Sequence, residues 1–307
     1  MTIFVRMAGI RDIKEGRLMV VSDIHGNEYD FNHILKRFFK LKEKGEVDLL
    51  VFLGDLIHSF NPSKDASLAI LDRLIELGAN EDRSAIICLV GNHELVHILQ
   101  IPLRKGRWEF NKGLEWKMAG KREKYISFFQ NMPIAIRTGG GVLINHTGAA
   151  RYYNKEQLQF MGLHEDFLKE IDYNNIIEKV RPDFTNGIHN RYDVELGYDI
   201  MERPQGQVLW ETFMNGNEHQ YGIDEYHKYI IDTLHYFNDN RPGEKLDLLV
   251  SGHIGVPDGV ERIGEKQLRI CSSAGCSLDL EKKLLMLDAA KIYTNLDALC
   301  SDVREVY

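Results

Sequence analysis

Short runs of apolar, largely β-branched residues recur along the chain, and each predicts a buried strand. Five of these runs end at Val21, Leu53, Val90, Ile144 and Val250. After the first run, apolar residues at three- and four-residue spacing predict a helix over about residues 28–44. A second apolar stripe, Leu68–Leu77, predicts another helix. Because strands and helices alternate, the first half of the chain indicates an α/β sheet.

The remaining segments are less uniform. Lysine, arginine and tryptophan mix with glycine over residues 100–120, which we interpret as a loop. A helix is predicted over 122–131, followed by strands 134–137 and 142–144 joined through three glycines, a hairpin signal. Further helices are predicted near 155–180 and 223–237, and strands over 246–250, 260–263, 267–271 and 284–287. The alternation weakens over about 150–243, which we interpret as a cap-like insertion in one domain covering 1–307.

Composition narrows the possible functions. The 307 residues are 44% hydrophobic and 27% charged, which is ordinary for a globular protein, and the net charge is -8. This charge disfavours binding to a nucleic-acid duplex or an anionic membrane, both of which attract positive surfaces. No segment has the apolar length to span a bilayer, and the first residues lack a signal-like core. We therefore expect a cytoplasmic protein with four free cysteine thiols.

Polar residues with ligand atoms follow each of the five strand-like runs. They are Asp23, His25, Asp55, Asn92, His93, His146 and His253. Ligands bind at the carboxyl ends of strands in α/β folds, so these side chains are expected to converge. Asp23 and His25 alternate in a segment predicted to be extended, which would direct both to one side. Carboxylate, amide and imidazole donors together favour Mn, Fe, Zn or Ni over Ca.

Such a set of donors predicts a two-metal hydrolytic centre. Two metals about 3.5–4 Å apart can clamp a phosphate and convert a bridging water to hydroxide near neutral pH. A leaving alkoxide then needs a proton, and His93, beside Asn92, is the predicted general acid. Two other histidines, His33 and His97, fall on helical stretches, and we interpret both as structural.

The order of these blocks resembles the calcineurin-like metallophosphoesterase superfamily, and within it the branch of phosphoprotein phosphatases and symmetric diadenosine tetraphosphate hydrolases. The blocks are Asp23-Ile24-His25-Gly26, Gly54-Asp55, Gly91-Asn92-His93-Glu94, His146 and Gly252-His253. The resemblance implies an αββα sandwich of four layers with two mixed sheets and a helical cap. It also implies ligand sets: Asp23, His25 and Asp55 for one metal, and Asp55, Asn92, His146 and His253 for the other. Manganese is the expected metal, with Fe, Zn or Ni as alternatives.

The chain departs from this branch at the second block. The branch has an Asp that orients the catalytic His and an Arg that grips phosphate, and here His58 and Ser59 take their places. Substrate contacts are therefore expected from Asn92, His58 and Arg151. The resemblance implies a phosphomonoesterase acting on a phosphoprotein or a small phosphate ester. Hydrolysis of nucleotide anhydrides or phosphodiesters, such as diadenosine tetraphosphate, and a catalytically silent scaffold are the alternatives.

Overall fold

The described residues of the computed structural model are 9–82, 84–105, 108–151, 198, 201–240, 243–276 and 278–307. They contain a five-stranded sheet with strand order β13-β12-β2-β3-β4. Its strands are β2 (Arg17–Val21), β3 (Leu49–Phe52), β4 (Ile86–Cys88), β12 (Lys283–Asp288) and β13 (Val303–Glu305). The pairs β2–β3 and β3–β4 are parallel, whereas β12 is antiparallel to both of its neighbours. This sheet is therefore mixed.

The second sheet has six strands in the order β1-β7-β8-β9-β11-β10. They are β1 (Ile10–Ile13), β7 (Ala135–Thr138), β8 (Val142–Asn145), β9 (Leu248–Ser251), β10 (Val260–Ile263) and β11 (Gln267–Ile270). The pairs β7–β8 and β10–β11 are antiparallel, and the other three pairs are parallel. The predicted hairpin corresponds to β7 and β8.

In strands such as β2, β3, β8 and β9, alternate residues enter two different cores, in agreement with the two-residue period of a strand. Leu18 and Val20 of β2 join a cluster with Ile144 of β8 and Val250 of β9, which lies between the two sheets. Met19 and Val21, on the other face of β2, pack with helical residues. The predicted fold class, an α/β sandwich of two mixed sheets with helices, is confirmed.

Among the described residues up to 151, the helices are α1 (Glu28–Glu43), α2 (Ser67–Glu76), α3 (Asn92–Leu99), α4 (Phe110–Met118) and α5 (Arg122–Gln130). A 3-10 turn, Pro62–Lys64, precedes α2. The prediction of a loop over 100–120 is wrong, because this segment holds α4 and a ribbon of β5 (Arg104–Lys105) and β6 (Trp108–Glu109). The Asn111 amide anchors α4 by bonding to backbone groups of Ile101 and Leu103. Only three residues of α4 are buried, so its apolar stripe is short.

The second half adds α6 (Pro204–Leu209), which continues into a π-helical turn, Trp210–Met214. Then come α7 (Glu218–Tyr221), α8 (Ile223–Asn240), a 3-10 turn Asp279–Glu281, and α9 (Leu296–Cys300). The helix predicted over 155–180 lies outside the described residues, as does most of the irregular segment before α6. The single-domain organisation and the cap over 150–243 stay predictions. No helix in the described ranges combines the length and apolarity that crossing a membrane requires.

Candidate metal centre

The seven predicted residues lie on four loops and at the start of one helix, where strands of both sheets end. Asp23 and His25 follow β2, Asp55 follows β3, and Asn92 and His93 begin α3. The second sheet contributes His146 after β8 and His253 after β9. All are buried except His253, which is half-buried.

The carboxylate of Asp55 is central to this arrangement. Its Oδ2 atom lies 3.5 Å from Nε2 of His146, 3.7 Å from Nε2 of His25 and 4.0 Å from Nε2 of His93. Donor atoms that share a cation at about 2.1 Å lie up to about 4 Å apart. Two groups have all their ligand atoms within 4.8 Å of one another, namely His25, Asp55, His93 and Asp55, His146, His253. Because Asp55 belongs to both groups, its carboxylate can bridge two cations.

Backbone carbonyls orient two of the imidazoles for metal binding. Nδ1 of His146 lies 2.9 Å from the carbonyl oxygen of Leu53, and Nδ1 of His25 lies 3.2 Å from that of Ile57. A carbonyl only accepts hydrogen bonds, so each Nδ1 carries the proton. Each Nε2 is then the nitrogen that faces Asp55. This pattern is typical of metal-ligating histidines and shows that the residues fit a cation.

The charges of the centre also suit a cation. Burial by itself raises the pKa of Asp55, but the charges of His146, His93 and His25 hold it well below its usual range. Burial lowers the pKa of His146, yet Asp55 and two other carboxylates raise it to about 9. Nδ1 of His253 lies 3.2 Å from Nε2 of His146, and burial with the charge of His146 lowers the pKa of His253 to about 3. The buried carboxylates thus stabilise positive charge where the rings of His146 and His253 meet.

Asp23 and Asn92 contact other residues of the centre. The Asp23 carboxylate accepts hydrogen bonds of 3.0 and 3.1 Å from the backbone N–H of His253, and burial raises its pKa. The Asn92 amide lies 3.1 Å from Nε2 of His146, and turning it over puts its NH2 3.0 and 3.1 Å from the Asp55 oxygens. The ligand roles of Asp23 and Asn92 stay predictions.

The backbone is left-handed at four residues with side chains around the centre, a conformation that costs about 1–3 kcal/mol each. They are His25 (φ 46°), Asp55 (φ 50°), His58 (φ 69°) and His253 (φ 69°). The expectation of an extended segment from Asp23 to His25 is therefore wrong. The turn at His25 closes because the backbone N–H groups of Ile24 and His25 donate to the Asp55 carbonyl at 3.0 and 2.8 Å.

Sequence reasoning assigned no role to Glu94, although it lies in the third block. This side chain is fully buried, and its carboxylate accepts hydrogen bonds from the backbone N–H groups of Asp55, Leu56 and Gly91. Burial and the charge of Asp55 raise its pKa to about 7. Glu94 therefore fixes the loop that presents Asp55. Its position three residues after Gly91, at a helix start, was the available signal.

The candidate substrate residues occupy different places. His58 is buried, and both of its ring nitrogens contact other histidines: Nδ1 lies 2.9 Å from Nδ1 of His93, and Nε2 lies 2.8 Å from Nε2 of His97. Burial lowers the pKa of His93 to about 3 and that of His58 well below its usual range. Arg151 is half-buried, in a turn after Ala150. Phosphate contacts of His58 and Arg151 stay predictions.

The chain belongs to the calcineurin-like phosphoesterase family, which matches residues 16–257. A cold-active protein tyrosine phosphatase, solved as a mutant, shares its fold with a TM-score of 0.54 at 16% identity, over 92% of this chain and 77% of that one. A Saccharomyces cerevisiae protein serine/threonine phosphatase aligns with a TM-score of 0.48 at 15% identity, over 91% and 76%. The SbcD component of the Staphylococcus epidermidis nuclease SbcCD is 32% identical over 109 residues, 36% of this chain. The chain spans only 23% of that relative's length.

Proposed function

We propose that this protein hydrolyses phosphate monoesters, in phosphoproteins or small molecules, with two transition-metal ions and His93 as general acid. The observation that carries the proposal is the placement of His93. Its Nε2 lies 4.0 Å from Oδ2 of Asp55, the residue that both donor groups share. A proton donor therefore stands beside the place where phosphate would bind.

In this proposal Asp23, His25 and Asp55 hold one metal, and Asp55, Asn92, His146 and His253 hold the other. Manganese is the expected metal, and Fe, Zn or Ni suit the same donors. Bound metals neutralise phosphate charge and lower the pKa of water. The four free cysteines agree with a reducing cytoplasm as the place of action.

The residues of the chain then act on the ester. In its protonated form, His93 would donate the Nε2 proton to the leaving oxygen, which would otherwise depart as an alkoxide. Asn92 contacts a phosphate oxygen through its amide, and Arg151 adds positive charge as the substrate binds. Because the site is buried, the charges act at low dielectric, where they are stronger than in water.

A second candidate is hydrolysis of phosphodiesters or nucleotide anhydrides. The partial similarity to a nuclease component favours it. His93 would serve equally, since a diester also releases an alkoxide. The catalytically silent scaffold is disfavoured, because the donor atoms of each group lie within 4.8 Å of one another.

The test is a comparison of kcat/KM on one metal-loaded preparation. The substrates are a phosphopeptide, p-nitrophenyl phosphate, a phosphodiester and diadenosine tetraphosphate. The proposal expects the monoesters to be the best substrates and chelation to abolish turnover until Mn²⁺ is restored. A strong preference for the diester or anhydride would favour the second candidate, and inactivity on all four with metal bound would favour the scaffold.

A further inference from the structure

A continuous line of buried side chains leads from His93 away from the metal centre to a carboxylate. Nδ1 of His93 contacts Nδ1 of His58 at 2.9 Å, Nε2 of His58 contacts Nε2 of His97 at 2.8 Å, and Nδ1 of His97 contacts Oε1 of Glu115 at 2.6 Å. The side chains of His97 and Glu115 are 0% and 9% exposed. We call these four side chains the histidine chain.

Three elements hold the histidine chain together. His58 follows β3, and His93 and His97 lie one helical turn apart on α3, which places them on one face. Glu115 comes from α4, the helix that closes over them. Phe110 of α4 stacks on the His58 ring with centroids 5.5 Å apart. The Phe110 ring also lies 5.6 Å from the ring of His93.

The carboxylate end sets the direction of every hydrogen bond. A carboxylate only accepts, so the proton between Glu115 and His97 belongs to Nδ1 of His97. In a neutral ring the other nitrogen is then an acceptor, and Nε2 of His97 accepts from Nε2 of His58. By the same argument Nδ1 of His58 accepts from Nδ1 of His93. Three neutral rings thus fill three contacts, and Nε2 of His93 is left facing Asp55.

Arg122 fixes the orientation of Glu115. Its Nε donates to Oε2 of Glu115 at 2.8 Å, and an Nη donates to Oε1 at 3.4 Å, the oxygen that also contacts His97. One Nη of Arg122 also donates to the backbone carbonyl of His97 at 2.9 Å. The carboxylate and the helix bearing His97 are therefore held by the same guanidinium.

We propose that His97 and Glu115 are positioning residues for the acid step, acting on His93 through His58. They fix the ring of His93 with Nδ1 engaged and Nε2 directed at the metal centre. This inference rests on the proposed function, because the histidine chain can act in catalysis only where His93 is the general acid.

The proton balance closes over one turnover. The protonated histidine chain holds four ring protons, three in its contacts and one on Nε2 of His93. The leaving oxygen takes the fourth proton as its bond to phosphorus breaks. The water consumed in hydrolysis gives its oxygen and one hydrogen to phosphorus, and its other proton restores the fourth ring proton. No oxidant or further reactant is needed.

The first test reads ring tautomers and does not require activity. In ¹⁵N-histidine-labelled protein loaded with diamagnetic Zn²⁺, NMR at pH 8 is expected to show His93 and His97 protonated on Nδ1 and His58 on Nε2. Glu115→Gln and His97→Phe are expected to give mixed tautomers at His93. The same single tautomer at His93 in both variants, or an Nε2 proton at His93 in the unmodified protein, would overturn the proposal even if the protein hydrolyses nothing.

The second test uses kinetics. Glu115→Gln and His97→Phe are expected to lower kcat about 10- to 100-fold for an alkyl phosphate, less than the 10²- to 10⁴-fold contribution of a general acid, because His93 itself is retained. Metal content and KM should stay close to unmodified values. For p-nitrophenyl phosphate, whose leaving group needs little protonation, the loss should be under about 3-fold. In a His93→Ala background neither change should lower kcat further, because both act only through His93.

A matched control separates positioning from packing. Asp72→Asn removes a carboxylate that joins α2 to α5 through Lys124 and Tyr125, outside the histidine chain. It should leave both substrates unaffected. Equal losses for alkyl and aryl esters in Glu115→Gln and His97→Phe, or losses that multiply with His93→Ala, would show a merely structural role. Where His97→Phe unfolds the protein, Glu115→Gln alone decides, since it preserves shape.

Discussion

One oxygen of the Glu94 carboxylate, Oε2, accepts a hydrogen bond from the backbone N–H of Asp55 at 2.9 Å, across 39 residues of sequence. The same oxygen accepts from Gly91 at 3.0 Å, and the other oxygen accepts from Leu56 at 2.9 Å. The start of α3 is thereby joined to the loop after β3. Asp55, which both donor groups share, is held through its backbone, so its carboxylate can face the histidines.

Removal of Glu94 should therefore weaken the hydrogen bonds that hold the loop bearing Asp55. Glu94→Ala leaves three buried N–H groups without a partner, and we expect the free energy of unfolding to fall by about 2–4 kcal/mol. Metal affinity should fall with it. Urea denaturation and elemental analysis would measure both. Glu94→Gln, which keeps one acceptor oxygen, should lose less, and unchanged stability and metal content in Glu94→Ala would contradict this role.

The bridging role of Asp55 can be tested by removing its charge alone. Asp55→Asn preserves the shape and can still accept from the backbone N–H of His93, a bond of 3.0 Å. We expect the content of bound metal to fall and kcat to drop more than about 100-fold, because the shared anion is lost. Asp48→Asn, at a carboxylate that caps the backbone of Arg17, is the control. Full metal occupancy and activity in Asp55→Asn would exclude a bridge.

The acid role of His93 predicts a dependence on the leaving group. His93→Ala should lower kcat about 10²- to 10⁴-fold for an alkyl phosphate, with metal retained, and much less for p-nitrophenyl phosphate. Steady-state kinetics on both esters with metal analysis would measure this. Equal losses on both esters would indicate that His93 acts otherwise than as the acid.

Stability should depend on pH through an ion pair remote from the metals. Arg269 is fully buried and donates to both oxygens of Glu218 at 2.6 Å. Burial by itself raises the pKa of Glu218, but the hydrogen bonds and charge of Arg269 lower it below its ordinary 4.5. A carboxylate with a depressed pKa in the folded state stabilises the fold above its unfolded pKa, and the effect is lost as pH falls through the folded value.

Glu218→Gln should therefore destabilise the protein most at neutral pH. We expect the difference from the unmodified protein to reach about 2–3 kcal/mol, near the lower bound for breaking a buried pair, because Arg269 keeps Glu261 as a partner. The difference should shrink as pH falls below 4.5. Urea denaturation between about pH 3.5 and 7 would measure it. A constant difference over this range would show that the charge of Glu218 is not involved.

The sequence predicts the strands and the ligand positions for the same reason. Apolar runs such as Leu49–Phe52 predict strands because both of their faces are buried. The polar residues directly after each run, such as Asp55, lie on the loop at the end of that strand. Local patterns also place α1 and the hairpin of β7 and β8. These features depend on residues that are close together in sequence, so the periodicity of apolar residues predicts them.

Contacts across long sequence separations leave no such pattern. The helix-start position of Glu94 indicates its bond to Gly91, but its bonds to the backbone N–H groups of Asp55 and Leu56 cross 39 and 38 residues and leave no pattern in the sequence. His97, interpreted as structural because it falls on a helix, meets Glu115 on a helix that the sequence did not predict. The left-handed turn at His25 is imposed by the carbonyl of Asp55, on the loop after the next strand, against the local preference of a non-glycine residue. In each case tertiary contacts override local propensity.

The donor groups span both sheets, since Asp55 follows β3 and His146 and His253 follow β8 and β9. A cation bound to all three is thus a cross-link at the open edge of the sandwich. Pulling the sheets apart would have to break coordination bonds at that edge before the apolar layer between them could open. Metal at about 1,000 times its dissociation constant would add about 4 kcal/mol to the stability of the assembled sheets. The metal centre would then contribute to the stability of the fold as well as to hydrolysis.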